Sequence, residues 1–370
     1  MIRILHVIGG MDRAGAETMV MNIYRNIDRT RIQFDFIYFK AKACDYDEEI
    51  LSLGGKIFRI VEGNSFKRIY SLFRFLKHNS QYQVIHAHTL LNIGFCFLAA
   101  NLAGVPIRIA HSHSITNASD NSLANRIYQQ LSIFLIKKYS TNAIACSTEA
   151  AEFLFPENKK ALVLYNSIDI DQYFETGKTH KDFLRETFLP GSNSRIYVQI
   201  GRLENVKNHA FSLQIMYVLK NKKIDFHFFI IGQGTLDSFI RNEVSRLGLS
   251  GNVTMLGIRD DVPQLMAGAD VMLMPSLYEG LPMVLIESQC IGLPALISDN
   301  VPADVDMGVS LVKKLSLSDT PEEWAEVLFN IKREAPKQQS IEILRSKGLD
   351  IQDAARIYTD LYLQKINTAN

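Results

Sequence analysis

The sequence predicts an α/β protein of two Rossmann-like, doubly wound domains facing across a cleft, with a closing C-terminal helix. Three observations carry this. Short apolar runs alternate strictly with helical patterns, which implies parallel sheets covered by helices on both faces. The series runs through once, meets a polar stretch over 166–194, and starts again. The chain of 370 residues is long for one doubly wound domain and comfortable for two.

The elements follow in order. Residues 2–9 read as a buried strand, 17–27 as a helix and 34–39 as an aromatic strand. Residues 45–53 read as a helix closed by Gly54 and Gly55, and 56–60 as a strand. A helix over 66–78, strands at 84–88 and 107–113, and helices at 93–103 and 123–139 continue the pattern. Strands at 143–146 and 161–165 end the first series. In the second, strands at 196–201, 226–232, 253–256, 271–275 and 295–298 alternate with helices at 208–222, 236–247, 262–267 and 282–291. The tail is helical at 322–333 and 351–365. The domains are therefore 1–170, a linker over 171–194, a second domain over 195–350, and a helix over 351–370 that packs back on the first.

Composition narrows the function. Lys plus Arg total 40 and Asp plus Glu 39, so no broad basic face for nucleic acid is expected, and an anion site must be local. Cys44, Cys96, Cys146 and Cys290 are scattered without a CxxC pair, which speaks against a disulfide framework or structural zinc and fits a reducing cytoplasm. The most apolar stretch, 90–109, holds Asn92, Asn101, Gly104 and Pro106. It reads as a buried helix and strand rather than a membrane span.

In doubly wound sheets ligands sit beyond the carboxyl ends of the strands. Two such sheets facing one another suit an elongated, two-part ligand such as a nucleotide sugar. The most informative stretch is residues 278–287. Glu279 and Glu287 lie eight apart, with Gly280, Leu281 and Pro282 between. Pro282 is placed at the first position of a helix, where its missing amide costs nothing. The free amides of that helix start suit an anion or hydroxyl. Glu287, five residues in, can accept bonds from a vicinal diol such as ribose. Taken alone, two glutamates would more simply be a dipole-stabilising and a solvated residue.

Arg202 and Lys207, after Gly201, place two cations at a strand end. That suits a diphosphate, although a solvated basic turn has the same composition. Gly9, Gly10 and Gly15 follow the first strand, and glycine there lets backbone approach a phosphate. Their spacing is not GxGxxG, and Gly232-Gln-Gly234 falls short of it too, so a nicotinamide dehydrogenase is disfavoured. His111 and His113 share one face of a strand, and His86 and His88 repeat the arrangement on its neighbour. No carboxylate accompanies them, so no metal site is expected. In the segment 66–78, Ile69, Leu72, Phe73 and Leu76 make a core face. Lys67, Arg68, Arg74 and Lys77 lie largely elsewhere, as an ordinary solvated face or as a contact for anionic headgroups.

These motifs resemble family 4 glycosyltransferases of the two-Rossmann (GT-B) type, whose mark is two glutamates separated by seven residues in the setting EGLPxxxxE…GxPxxxS. Here it reads Glu279-Gly-Leu-Pro, Glu287, Gly292-Leu-Pro294 and Ser298-Asp299. The glycine-rich start, Gly201-Arg202-Leu203 with Lys207-Asn208, Gly232-Gln-Gly234, Leu256-Gly257 and Ala269-Asp270-Val271 follow in family order. The closing segments are most similar to bacterial capsule and exopolysaccharide transferases. The resemblance implies a retaining enzyme that moves a hexose or N-acetylhexosamine from a nucleotide sugar, preferably uridine-based, to a saccharide or lipid-linked acceptor.

It also implies roles. Arg202 and Lys207 hold the donor diphosphate in place of a metal ion, and Glu279 with the following amides takes the sugar. Glu287 takes the ribose, and His111 or His113 touches the sugar. Gly15, Gly201, Gly232, Ile258, Gly280, Leu281 and Pro282 line the donor. No cofactor is expected, since the nucleotide sugar is a substrate, and the expected location is the cytoplasm or the inner membrane face. The rival readings are a nucleotide-sugar 2-epimerase, whose carboxylate set is not found, and a non-catalytic partner subunit.

Overall fold

The structure is a computed structural model that describes residues 1–113, 122–155 and 161–369. It divides into two compact units, residues 1–168 with 348–370, and residues 169–347.

Among the described residues the first unit holds a parallel sheet of seven strands: β1 (Ile2–Ile8), β2 (Ile32–Tyr38), β3 (Ile57–Arg59), β4 (Val84–Ala87), β5 (Ile107–Ser112), β6 (Asn142–Ala145) and β7 (Leu162–Val163), in the order β3-β2-β1-β4-β5-β6-β7. The period-2 pattern of β1 shows why it is central. Ile4 and Ile8 enter the core on one face, and Leu5 and Val7 the core on the other. His6 shares the Ile4 face. The C-terminal helix Ile351–Ala369 completes that side, with Ile351, Ala354, Tyr358 and Tyr362 buried in the same cluster as Phe34 and Phe36.

The second unit repeats the plan with β8 (Arg195–Ile200), β9 (Phe226–Ile231), β10 (Val253–Gly257), β11 (Val271–Met274), β12 (Ala295–Ser298) and β13 (Val312–Leu315), in the order β10-β9-β8-β11-β12-β13. In both sheets the order reverses at the first strand of the series, which is where doubly wound folds bind ligands.

Three expectations are corrected. Residues 171–194 are no irregular linker. They form the helices Ile170–Thr179 and Phe183–Phe188, which bury Phe174 and Leu184 and belong to the second unit. The first of these packs against the helix Met283–Ile291 at Gly177, where a Cβ would stand 2.4 Å from the Ile291 carbonyl oxygen. Glycine there permits close helix contact, and its low helix propensity hid the element from a reading of composition. The strand β13 and the helix Gln338–Ser346 extend the second unit where no element was expected. Pro282 precedes the helix as its N-cap, with an extended φ/ψ, and Met283 is the first helical residue.

Candidate functional site

In the second unit, β8 lies between β9 and β11 at the switch point. The chain leaves β8 through Gly201 and Arg202, turns through Asn205–Lys207, and enters the helix His209–Asn221. The loop after β11 carries Glu279. The two loops are tied together. Leu277 donates its amide to the Val206 carbonyl at 2.8 Å, and the Asn208 side chain donates to the Pro275 carbonyl at 3.0 Å. Ser298, the last residue of β12, and Asn300 just past it hold the carbonyls of Ser276 and Leu277. Buried Gln199 donates to the Lys207 carbonyl at 2.7 Å.

This framework brings Lys207 Nζ to 2.6 Å from Glu279 Oε1, with both side chains less than 15% exposed (14% and 12%). A partly desolvated pair holds each partner in one orientation, since loss of either would strand the other's charge. Arg202 is exposed, and among the described residues its side chain makes no hydrogen bond or ion pair. The site therefore offers one neutralised pair and one available guanidinium, rather than two loose cations.

Gly201 and Gly232 serve the fold first. A Cβ on Gly232 would stand 2.0 Å from the Gly201 carbonyl oxygen, and Gly232 has a φ of +136°. The loops after β8 and β9 touch backbone to backbone, which only glycine permits. Gly280 faces open space, and Leu281 and Pro282 are half-buried beside it. Ile258, just past β10, is 45% exposed.

Glu287 is the fifth residue of the helix Met283–Ile291 and is half-buried. Burial pushes its carboxyl up to about 7, and a hydrogen bond with Tyr173 works in the opposite direction. Tyr173 belongs to the helix Ile170–Thr179 and was not foreseen. No local motif links residues so far apart; the only signal was the apolar spacing of Ile170, Tyr173, Phe174 and Gly177.

In the first unit, Gly15 opens the helix Gly15–Asn26 beyond β1 and faces open space. The four histidines noted in the sequence are joined by His6 of β1, which is paired in register with His86 of β4. His6 Nδ1 lies 3.0 Å from His88 Nε2, and His88 Nδ1 lies 2.8 Å from His113 Nε2. His86 Nδ1 lies 2.8 Å from the Tyr362 hydroxyl. Burial drives all five imidazoles well down, His6 and His113 to about 3, so they are neutral at ordinary pH. His111 is 1% exposed, whereas His113 lies just past the end of β5 and is half-buried. Of the two, His113 is the more exposed.

The helix Ser65–His78 buries Leu72 and Leu76 as expected and exposes Lys67, Arg74 and Lys77 beside Phe66 and Tyr70. Arg68 departs from that set. It is half-buried over the Phe39 ring, 5.1 Å from its centroid, and donates to the Glu62 carbonyl. Among the described residues no helix is long and apolar enough to cross a membrane.

Comparison with known proteins identifies the family. Residues 13–172 match the family described as Glycosyltransferase Family 4, and residues 180–340 the family described as Glycosyl transferases group 1. The chain is 38% identical over 371 residues to EpsF of Bacillus subtilis, a protein named as a glycosyltransferase, covering 97% of this chain and 96% of EpsF. It is 26% identical over 379 residues to the capsular polysaccharide biosynthesis glycosyltransferase CapH of Staphylococcus aureus, covering 99% of each. It is 30% identical over 243 residues, 63% of this chain and 62% of the other, to the Escherichia coli UDP-Gal:alpha-D-GlcNAc-diphosphoundecaprenol alpha-1,3-galactosyltransferase. The crystal structure of Anabaena Alr3699/HepE in complex with UDP and glucose superposes with a TM-score of 0.76 at 18% identity, covering 98% of this chain and all (100%) of HepE. The chain belongs to the family 4 (group 1) glycosyltransferases, and its two parallel-sheet units have the GT-B fold of that family.

Proposed function

We propose that this glycosyltransferase moves a hexose or N-acetylhexosamine, with retention, from a UDP-sugar to a saccharide or lipid-linked acceptor in bacterial surface polysaccharide assembly. The observation that carries the reading is the Lys207–Glu279 pair at the switch point, with Arg202 exposed on the same loop. A departing diphosphate needs fixed positive charge, and a sugar needs a hydrogen-bond acceptor. The pair supplies both in one place. The names of CapH and of the E. coli galactosyltransferase support the polysaccharide setting and the lipid-linked acceptor.

In this reading the second unit holds the donor. Glu287 takes the ribose hydroxyls, Glu279 and the first amides of the helix Met283–Ile291 take the sugar, and Arg202 and Lys207 take the diphosphate without a metal ion or other cofactor. The first unit offers the acceptor, and His113 is the histidine assigned to the sugar. The sugar's anomeric carbon leaves the diphosphate oxygen and bonds to the acceptor oxygen on the same face. The acceptor's proton passes to the departing diphosphate. Charge develops on the leaving oxygen, so Arg202 and Lys207 act most strongly in the transition state. The test is thermal stabilisation by UDP measured in chelator and in magnesium. Equal stabilisation is expected, and strict dependence on a divalent ion for binding and turnover would remove the two cations from their role.

A further inference from the structure

We infer that His6, His86 and His88 form a binding site for one transition-metal ion of the Zn2+ class, held through imidazole nitrogen. The three come from two adjacent parallel strands, β1 and the end of β4, and one nitrogen from each ring can be chosen so that all lie within 4.8 Å of one another. The 3.0 Å between His6 Nδ1 and His88 Nε2 is close to the ~3.3 Å that separates two nitrogens bound to one tetrahedral zinc ion. The ion takes the place of the proton between His6 and His88, and that proton moves to the other nitrogen of the same imidazole, so both rings stay neutral.

Several features argue for a built site rather than a chance cluster. His6 and His86 are 2% and 1% exposed, and each keeps a buried Nε2 with no hydrogen-bond partner. Metal-bound histidines characteristically donate their second ring N–H to a fixed acceptor, which sets the tautomer and aims the ring. Here His86 has the Tyr362 hydroxyl at Nδ1, and His88 has His113 Nε2 at Nδ1, each at 2.8 Å. The neighbouring triple His88, His111 and His113 also has nitrogens close enough for an ion. Yet neither ring nitrogen of His111 has a hydrogen-bond partner, so no hydrogen bond sets its tautomer. Zinc, copper and nickel suit imidazole, whereas magnesium prefers oxygen. The site therefore differs in ligand chemistry from any metal a diphosphate would bring. Its effect would pass through His88 to His113, fixing the Nε2 of His113 as acceptor and leaving its proton on Nδ1.

The test uses the full chain, stripped by dialysis against a chelator and titrated with Co2+, a spectroscopic stand-in for Zn2+. One equivalent is expected to bind, with a visible d–d absorption of a nitrogen-ligated ion, and Zn2+ is expected to displace it. His86→Gln and His88→Gln should each abolish binding. Tyr362→Phe, which keeps the ring and removes only the hydroxyl, should weaken it about 10–100-fold. His111→Ala should bind Co2+ as the wild type does. Failure of the folded wild type to bind Co2+, full binding by His86→Gln, or loss of binding in His111→Ala would each overturn the assignment. UDP stabilisation and cooperative thermal unfolding, followed on the same samples, report the fold and the donor reading separately. A protein that binds Co2+ but ignores UDP keeps the ion site and loses the donor assignment.

Discussion

The two units share the order of six strands, to which the first adds the edge strand β7, and they differ at their strand ends. Beyond β8 and β11 the second unit carries charge, with an ion pair and a free guanidinium held by glycines in backbone contact. Along β1, β4 and β5 and just past the ends of β4 and β5, the first unit carries neutral imidazoles, with His6, His88 and His113 linked ring to ring. The same backbone plan thus gives one end suited to diphosphate oxygens and another suited to groups met by uncharged nitrogen. Topology decides where a ligand sits, and side chains at the strand ends decide its chemistry.

The largest effects should fall on the charged end. Arg202→Ala or Lys207→Ala should each lower turnover by roughly a hundredfold or more, the scale of losing one charge-stabilising donor. Lys207→Ala should also cost stability, because it leaves Glu279 partly buried without its partner. Steady-state kinetics with thermal melts checks both, and near-wild-type turnover in both variants would erase the contrast between the units.

Glycine offers a second contrast. Gly232→Ala should destabilise the protein by about 2 kcal/mol or more, since the added methyl meets a backbone oxygen at a φ that L-residues rarely adopt. Gly15→Ala should change stability by less than about 0.5 kcal/mol, because that methyl meets only open space. Equal losses in urea unfolding would show that both glycines serve the fold alone.

Next is Glu287. Glu287→Gln should weaken UDP binding by about 1–2 kcal/mol, a charge-assisted bond becoming a neutral one. Its raised carboxyl, near 7, gives a pH signature. The ionised form is the better ribose acceptor, so affinity should rise as pH passes upward through 7 in the wild type and stay flat in Glu287→Gln. Without donor the sign reverses. The folded state holds this proton more tightly than the unfolded one, so Glu287 lowers stability as pH climbs from 4.5 towards 7. Tyr173→Phe removes the group that opposes the shift and should move the binding midpoint higher. Calorimetric Kd values across pH read all three, and a midpoint that stays put in Tyr173→Phe would mean the tyrosine does not act on Glu287.

The smallest effect is at the membrane. We propose that Lys67, Arg74 and Lys77, with Phe66 and Tyr70, give weak and salt-sensitive binding to anionic vesicles, about 1 kcal/mol per base. The helix Leu123–Tyr139 adds exposed Leu123, Ile127, Leu131 and Phe134 on one face. Changing the three bases to serine should abolish cosedimentation at low salt and leave UDP binding intact. Vesicle binding that persists in that variant would leave the helix an ordinary solvated face.

Much of the fold was legible because apolar periodicity is written locally. Residues 2–9 and 226–232 announce buried strands within themselves. Glu279, Glu287, Arg202 and Lys207 could be singled out as candidates because their spacing is a local signature. What stayed hidden was pairing at a distance. Lys207 and Glu279 looked like separate roles, yet they share one salt bridge. His6 lies within an apolar strand and drew no notice, and only strand register puts it beside His86. The helix Ile170–Thr179 was missed because Gly177 is there for its neighbour's carbonyl, a reason absent from its own segment.

The return of the chain to the first unit bears on the order of synthesis. Tyr358 and Tyr362 belong to the core around β1 and β2, and the Ile168–Asp350 bridge joins the two ends of the excursion through the second unit. A ribosome therefore makes every residue of the second unit before it makes the helix that seals the first. The domain translated first cannot close until last, and until then the nascent chain presents an open apolar face, with His86 still lacking Tyr362.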